Sequence, residues 1–256
     1  MQSILLSHGK LTYFPATAGI NRPALLICPG GGYEFCSIRE GAPVARAFAA
    51  LGISSFVVEY DCTPVPLGAQ PLRTLAEAVS YVRERARTFS IQPQRIAVGG
   101  FSAGAHLAGM LGMVWNQPEW FPEEIAAAQR QPNALVLCYP VVTAGEFAHR
   151  GSLEQLAGKN RERQEKFSLE RLVNPDTPPV FLWHTLDDDT VPVENTLLLE
   201  AALRREGISH ELHLFPHGVH GLALADLETY DPTRRRLPDR HVARWTTLCA
   251  EWLKNL

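Results

Sequence analysis

The sequence predicts an α/β fold, with a mostly parallel central sheet covered by helices on both faces. Three observations carry that reading. Short continuous apolar runs alternate with longer stretches whose apolar residues recur at helical spacing, the mark of doubly buried strands joined by crossover helices. The stretch Gly100-Phe101-Ser102-Ala103-Gly104 joins an apolar run to a helical one, as a strand-to-helix turn would. No repeat and no linker divides the 256 residues, so residues 1–256 are expected to form one domain.

The elements follow in order. Ala24–Cys28 is a continuous apolar run and reads as a strand. Glu40–Leu51 reads as a helix opened by Ser37-x-x-Glu40, the pattern of a capping box. Ile53–Glu59 is strand-like and rich in β-branched residues. Within Pro71–Phe89, positions Leu72, Leu75, Ala76, Val79 and Val82 share one helix face. Strand Arg95–Gly99 leads into the serine turn, and Ala105–Leu111 begins the helix behind it. Strands Ala134–Cys138 and Val180–His184, helix Val193–Arg205, strand His210–Phe215 and a final helix near His241–Leu253 complete the alternation. Trp115–Pro132 is rich in Pro, Trp and Glu, and Thr143–Pro179 is polar and charged. Both exceed the usual connection. They are expected as cap-like excursions, near 115–132 and 143–179, over the C-terminal edge of the strands.

Composition narrows the function classes. A formal net charge of −3 gives no reason to expect nucleic acid or an anionic membrane as partner. Arg234-Arg235-Arg236, between Pro232 and Pro238, reads as a solvated loop rather than a polyanion site. The N-terminus lacks a basic start followed by a long apolar region, so neither a signal peptide nor a membrane span is expected. Five cysteines without a C-x-x-C spacing argue against zinc and redox motifs. Reduced thiols in a cytoplasmic protein are the expectation.

The chemistry centres on Ser102. A tight turn between strand and helix exposes a serine hydroxyl, and its flanking glycines permit close backbone approach. The alternative is a glycine-rich loop that only packs a helix on a sheet. A serine hydroxyl is a poor nucleophile unless a base takes its proton, an acid orients the base and donors meet the oxyanion. The chain carries candidates in the order serine, carboxylate, histidine. Asp187, Asp188 and Asp189 follow the strand ending at His184, and chemistry alone does not choose among them, since helix capping and solvation also account for the run. His217 and His220 lie among glycines beyond the last strand, and both compete for the role of base. As a metal pair they lack a third ligand at workable spacing. His106, four residues after Ser102, reads as a packing or pocket-wall residue. Oxyanion donors are expected from the Ala103 amide and from Pro29-Gly30-Gly31-Gly32-Tyr33. That loop lacks the G-x-x-x-x-G-K-[ST] spacing of a phosphate cradle.

These motifs, together with Ser37–Ala45, His184–Asn195 and Phe215–Leu222, resemble the α/β-hydrolase esterases over almost the whole chain. More narrowly they resemble the small carboxylesterase, acetyl esterase and acetylxylan-esterase-like branch related to the hormone-sensitive-lipase group. The resemblance implies the α/β-hydrolase fold, Ser102 as nucleophile, Asp188 as acid, His220 as base, and an oxyanion hole from Gly31, Gly32 and Ala103. Pro29 stands where the family's loop carries a histidine, which removes a side-chain brace but leaves the backbone donors. The activity implied is hydrolysis of short acyl, acetyl-type esters, acetylated sugars among them, without metal or organic cofactor. A peptidase of the same fold and a non-catalytic hydrolase-fold binding protein are the alternatives. A small-molecule or carbohydrate ester is then the expected partner, and a homo-oligomer is compatible with all of this. Tyr33, Asp61 and His106, with Trp115 and Trp120, are candidates for the pocket lining.

Overall fold

The computed structural model describes residues 2–17, 22–121 and 125–256. Eight strands form one sheet in the order β1-β2-β4-β3-β5-β6-β7-β8. Strands β1 (Gln2–Leu6) and β2 (Gly9–Phe14) make an antiparallel hairpin at one edge, and β2 pairs antiparallel with β4 (Ser54–Tyr60). From there every pairing is parallel: β4 with β3 (Arg22–Cys28), then β5 (Ile91–Phe101), β6 (Ala134–Cys138), β7 (Val180–Thr185) and β8 (His210–Phe215).

The hairpin was not among the expected elements. As an outer edge it is only half buried, so its sequence shows little apolar contrast.

Inside the sheet, alternation sorts each strand between two cores. Leu26 and Cys28 of β3 and Leu135 and Leu137 of β6 face one core, while Leu25, Ile27, Val136 and Cys138 face the other. Helices α2 (Gln70–Glu84) and α3 (Ala103–Val114) cover the first face, and α1 (Ala42–Ala50) the second. The capping box expected at Ser37 does not form. Ser37 makes no side-chain cap bond, a short 3-10 turn occupies Ile38–Glu40, and Glu40 is buried for another purpose.

The 115–132 stretch lies along α2 rather than around the strand ends. Arg73 Nε donates to Trp120 O, and Arg83 donates to the carbonyls of Gln129 and Gln131 on either side of the end of α4 (Ala127–Arg130). Residues 122–124 of that stretch lie outside the described residues. The 143–179 stretch holds three short helices, α5 (Arg150–Ala157), α6 (Arg161–Glu165) and α7 (Leu169–Leu172). A Cβ on Gly109 of α3 would lie 2.6 Å from Leu169 Cδ1, so a glycine there lets α7 dock on α3.

The second face is closed late in the chain. After α8 (Glu194–Arg205), which packs on the first face, and β8, α9 (Trp245–Asn255) returns beside α1. Its Trp245 is fully buried, stacks on Trp183 at 5.3 Å and donates from Nε1 to Ala223 O at 2.9 Å. Truncation of a buried tryptophan removes its packing and leaves a cavity. Trp245→Ala is expected to cost about 3–5 kcal/mol of stability, read from urea unfolding midpoints. A change below about 1 kcal/mol would mean that α9 contributes little to closing this face.

Candidate active site

The turn at Ser102 is shaped by backbone contact. Ser102 has φ 53° and ψ −118°, a rare conformation for a residue with a side chain. A Cβ on Gly100 would lie 2.6 Å from Cys28 O, and one on Gly104 only 2.1 Å from the same oxygen. Both glycines of the G-x-S-x-G stretch are therefore required by close approach of the turn to β3. The strained residue is held by Ser102 N–H donating to Cys138 O at 3.0 Å, and by its carbonyl accepting from His106 N at 3.0 Å and Val141 N at 3.2 Å.

Three loops at the C-terminal ends of parallel strands meet there. Ser102 Oγ lies 2.8 Å from His220 Nε2, and His220 Nδ1 lies 2.6 Å from Asp188 Oδ2. With Nδ1–H donating to the carboxylate, Nε2 is left to accept the serine proton. Asp188 Oδ1 accepts from the amides of Thr190 at 3.0 Å and Val191 at 2.9 Å, while buried His184 Nε2 stands 3.3 Å from Oδ2. Burial alone would raise the Asp188 carboxyl. Hydrogen bonds from His184 and His220, the His220 charge and the Val191 amide outweigh it and hold Asp188 well below the usual carboxylate range. Of the competing residues, Asp189 borders the cleft beside Ser102, while Asp187 and His217 pair with each other outside it. His217 Nδ1 pairs with Asp187 Oδ2 at 2.8 Å, and both side chains are exposed.

The glycine loop after β3 is braced by side chains that the sequence reading did not assign. Gly30 N–H donates to Glu40 Oε2 at 2.9 Å, and Tyr60 Oη–H donates to Pro29 O at 2.8 Å. Glu40 Oε1 accepts from Tyr139 Oη at 2.8 Å, and that phenol oxygen accepts from Ala223 N–H at 3.1 Å. Burial, then the charge on Glu40, pushes the Tyr139 phenol well above its ordinary range, so it stays a donor. The Tyr139 ring meets His220 edge-on at 5.0 Å. One buried carboxyl thus links the glycine loop, the turn after β6 and the segment after His220. Gly31 and Gly32 border the cleft beside Ser102, and Ala103 opens α3, where the first amides lack helical partners.

The cleft has a volume of about 820 Å³. The pocket residues expected from sequence do not line it. Tyr33 and His106 are core residues: Tyr33 Oη–H donates to His106 Nδ1 at 2.8 Å, and His106 Nε2–H donates to Phe167 O at 2.7 Å. Asp61 borders a separate shallow groove with Lys10 and Glu59. Trp115 and Trp120 pack on the first core. Instead the cleft takes His149, Asp189 and the arginine run, which sequence had assigned to a solvated loop. His149 carried no sequence signal beyond its place in a polar stretch. Its Nδ1 accepts from Ser152 N–H at 3.3 Å, which leaves the proton on Nε2. Among the described residues, no group of three or more His, Cys, Asp or Glu is arranged to hold a metal ion, and no helix is long and apolar enough to cross a membrane.

Comparison with known proteins adds the lineage. The BD-FAE family profile matches residues 12–203. The chain is 38% identical over 216 residues to endo-1,4-beta-xylanase B of Butyrivibrio fibrisolvens, covering 82% of this chain and 34% of that protein. It is 30% identical over 208 residues to an acetylxylan esterase of Xylanibacter ruminicola, covering 77% of this chain and 40% of the relative. The chain therefore spans between a third and two-fifths of the length of these relatives. The crystal structure of an acetyl ester-xyloside bifunctional hydrolase from Caldicellulosiruptor lactoaceticus superposes with a TM-score of 0.83 at 36% identity, covering 96% of this chain and 88% of that one.

Two outcomes follow from the buried groups. Glu40→Gln replaces one acceptor oxygen with a donor facing Gly30 N–H or Tyr139, and is expected to cost about 1–3 kcal/mol by urea unfolding. Unchanged stability would show that Glu40 is not a brace. His106 has its pKa pushed down by burial to about 4. Its unfolded form takes a proton near the ordinary 6.5, so stability is full above that pH and falls as pH drops toward 4. Between pH 7 and 5 the wild type is expected to lose about 2 kcal/mol through this group, and His106→Gln correspondingly less. Parallel pH profiles for the two proteins would exclude a buried unprotonated His106.

Proposed function

From the premise that the chain belongs to the BD-FAE family and has the α/β-hydrolase fold, we propose that it is a serine carboxylic-ester hydrolase acting on short acyl esters, acetyl groups on sugars included. The unbroken contact line Ser102 Oγ to His220 to Asp188, at 2.8 and 2.6 Å, carries this reading. Ser102 attacks the ester carbonyl while His220 Nε2 takes its proton. His220 then passes that proton to the leaving alcohol, and an acyl-enzyme remains on Ser102. Asp188 fixes the imidazole ring and stabilises its cationic form. The amides of Ala103, Gly31 and Gly32 receive the oxyanion. Water, deprotonated by His220, releases the acid and restores the serine. The residues present need no metal or organic cofactor for this sequence of steps.

Short acyl preference follows from the stretches around the sheet. Of the 143–179 segment, His149 alone borders the cleft among the described residues, so that stretch supplies no apolar channel for a long chain. We read the chain as one catalytic domain, and the names of its relatives suggest acetyl esters of xylan-type sugars as the substrate class.

Ser102→Ala is expected to lower turnover of an aryl acetate by about 10⁴ to 10⁶ and to abolish labelling by a serine-directed phosphonate. His220→Ala should match it, while His217→Ala stays near wild type. Appreciable activity in folded Ser102→Ala, or a reversed order of the two histidine variants, would overturn the mechanism. Across aryl esters of increasing length, kcat/KM should fall beyond about four carbons, since an apolar channel would instead add about 0.8 kcal/mol per methylene.

A further inference from the structure

Four guanidinium groups border the cleft, and they fall into two kinds. Arg39 donates to the carbonyls of Gly221, at 2.8 Å, and Thr229. Arg236 donates from Nε to His220 O at 2.9 Å and pairs with Asp231 at 3.6 Å. Both hold the segment that carries His220. Arg234 and Arg235 are different. They are exposed, they border the same cleft as Ser102 and His220, and among the described residues their side chains have no hydrogen-bond or ion-pair partner.

The turn that presents them is preorganised. Asp231 and Arg236 exchange both backbone hydrogen bonds, at 3.1 and 2.9 Å, and close residues 232–235 into a loop. Thr233 Oγ1 bonds Asp231 Oδ1 at 2.6 Å, and Arg235 sits in the left-handed region at φ 56° and ψ 24°. A turn already ordered costs less conformational freedom when it receives a ligand. Among the described residues, four carboxylates share the cleft. Glu40 is tied to Gly30 and Tyr139, and Asp231 to Arg236 and Thr233. Glu34 and Asp189 remain on the loops after β3 and β7, so they repel an anion from those walls and leave the arginine turn as its seat.

We propose that Arg234 and Arg235 form a subsite for a carboxylate carried on the alcohol portion of the ester. The substrate class is then an acylated carbohydrate that bears an acidic sugar, with the acyl group at Ser102 and the carboxylate at the turn. The proposal rests on the esterase reading above. Two guanidiniums supply charge-assisted donors in a planar geometry that suits a carboxylate.

The test compares acetylated methyl glucoside with acetylated methyl glucuronoside, which differ only in hydroxymethyl against carboxylate. In the wild type kcat/KM for the glucuronoside should exceed that for the glucoside about five- to tenfold, chiefly through KM, and the excess should shrink with added salt. In R234Q/R235Q the ratio should fall to about one, while R234K/R235K keeps part of it. Taking the ratio within each protein removes any difference in folded fraction. A wild-type ratio near one, or a ratio that the glutamines leave unchanged, overturns the subsite. Calorimetric titration with unacetylated methyl glucuronoside separates this from the esterase reading. Binding to the wild type and not to R234Q/R235Q, with neither ester turned over, supports the subsite and defeats the esterase reading. Turnover of the glucoside ester with no glucuronoside binding to either protein overturns the subsite alone.

Discussion

The carbonyl oxygen of Cys28 occupies the space that a Cβ on Gly100 or Gly104 would need, so the end of β3 and the serine turn meet backbone to backbone. Much of the candidate site follows from this contact. It sets the start of α3 directly behind Ser102, and it brings the loop that leaves β3 alongside the serine. A Cβ on Gly30 would stand only 3.1 Å from Ser102 Cβ. A glycine pair spaced around a serine is thus a packing requirement before it is a chemical motif. The strained backbone of Ser102 persists because bonds to Cys138, His106 and Val141 surround it.

Around that contact, Glu40 works at longer range. Its two oxygens accept from Gly30 and Tyr139, and Tyr139 in turn takes the Ala223 amide and presses its ring edge on His220. The Pro29–Gly30 peptide is braced at both of its polar ends, its N–H by Glu40 and its carbonyl by Tyr60. A buried, fully bonded carboxyl is costly to form and costly to disturb, which favours one arrangement of the three loops over nearby alternatives. Arg39 and Arg236 act similarly from the other side, fastening the segment after His220 by its carbonyl groups.

Much of the sheet was legible because burial on both faces writes itself as continuous apolar runs. Ala134–Cys138, buried throughout, is found with the expected bounds, as is the half-buried edge strand His210–Phe215, and the serine turn lies between strand and helix as read. The edge hairpin β1–β2 and the short helices α5 to α7 escaped, since half-buried strands and surface helices carry weak apolar contrast. Ser37 and Glu40 matched a capping pattern, yet a buried hydrogen-bond partner far along the chain outweighed the local rule. The pocket was least legible. Tyr33 and His106 satisfy each other inside the core, whereas His149 and the arginine turn border the cleft.

By itself the sequence determined what local chemistry can determine: the alternation that builds a parallel sheet, the glycines that allow a tight serine turn, and the types and order of the candidate residues. Local chemistry left three aspartates and two histidines open and only the family resemblance pointed to Asp188 and His220; the fold stands those two in line with Ser102, because adjacent residues on a loop point in different directions. It also decided what surrounds them. Contacts such as Glu40 to Tyr139 and Arg39 to Gly221 join residues far apart in the chain, and no periodicity or spacing encodes a hydrogen bond whose two ends meet only when the sheet has closed.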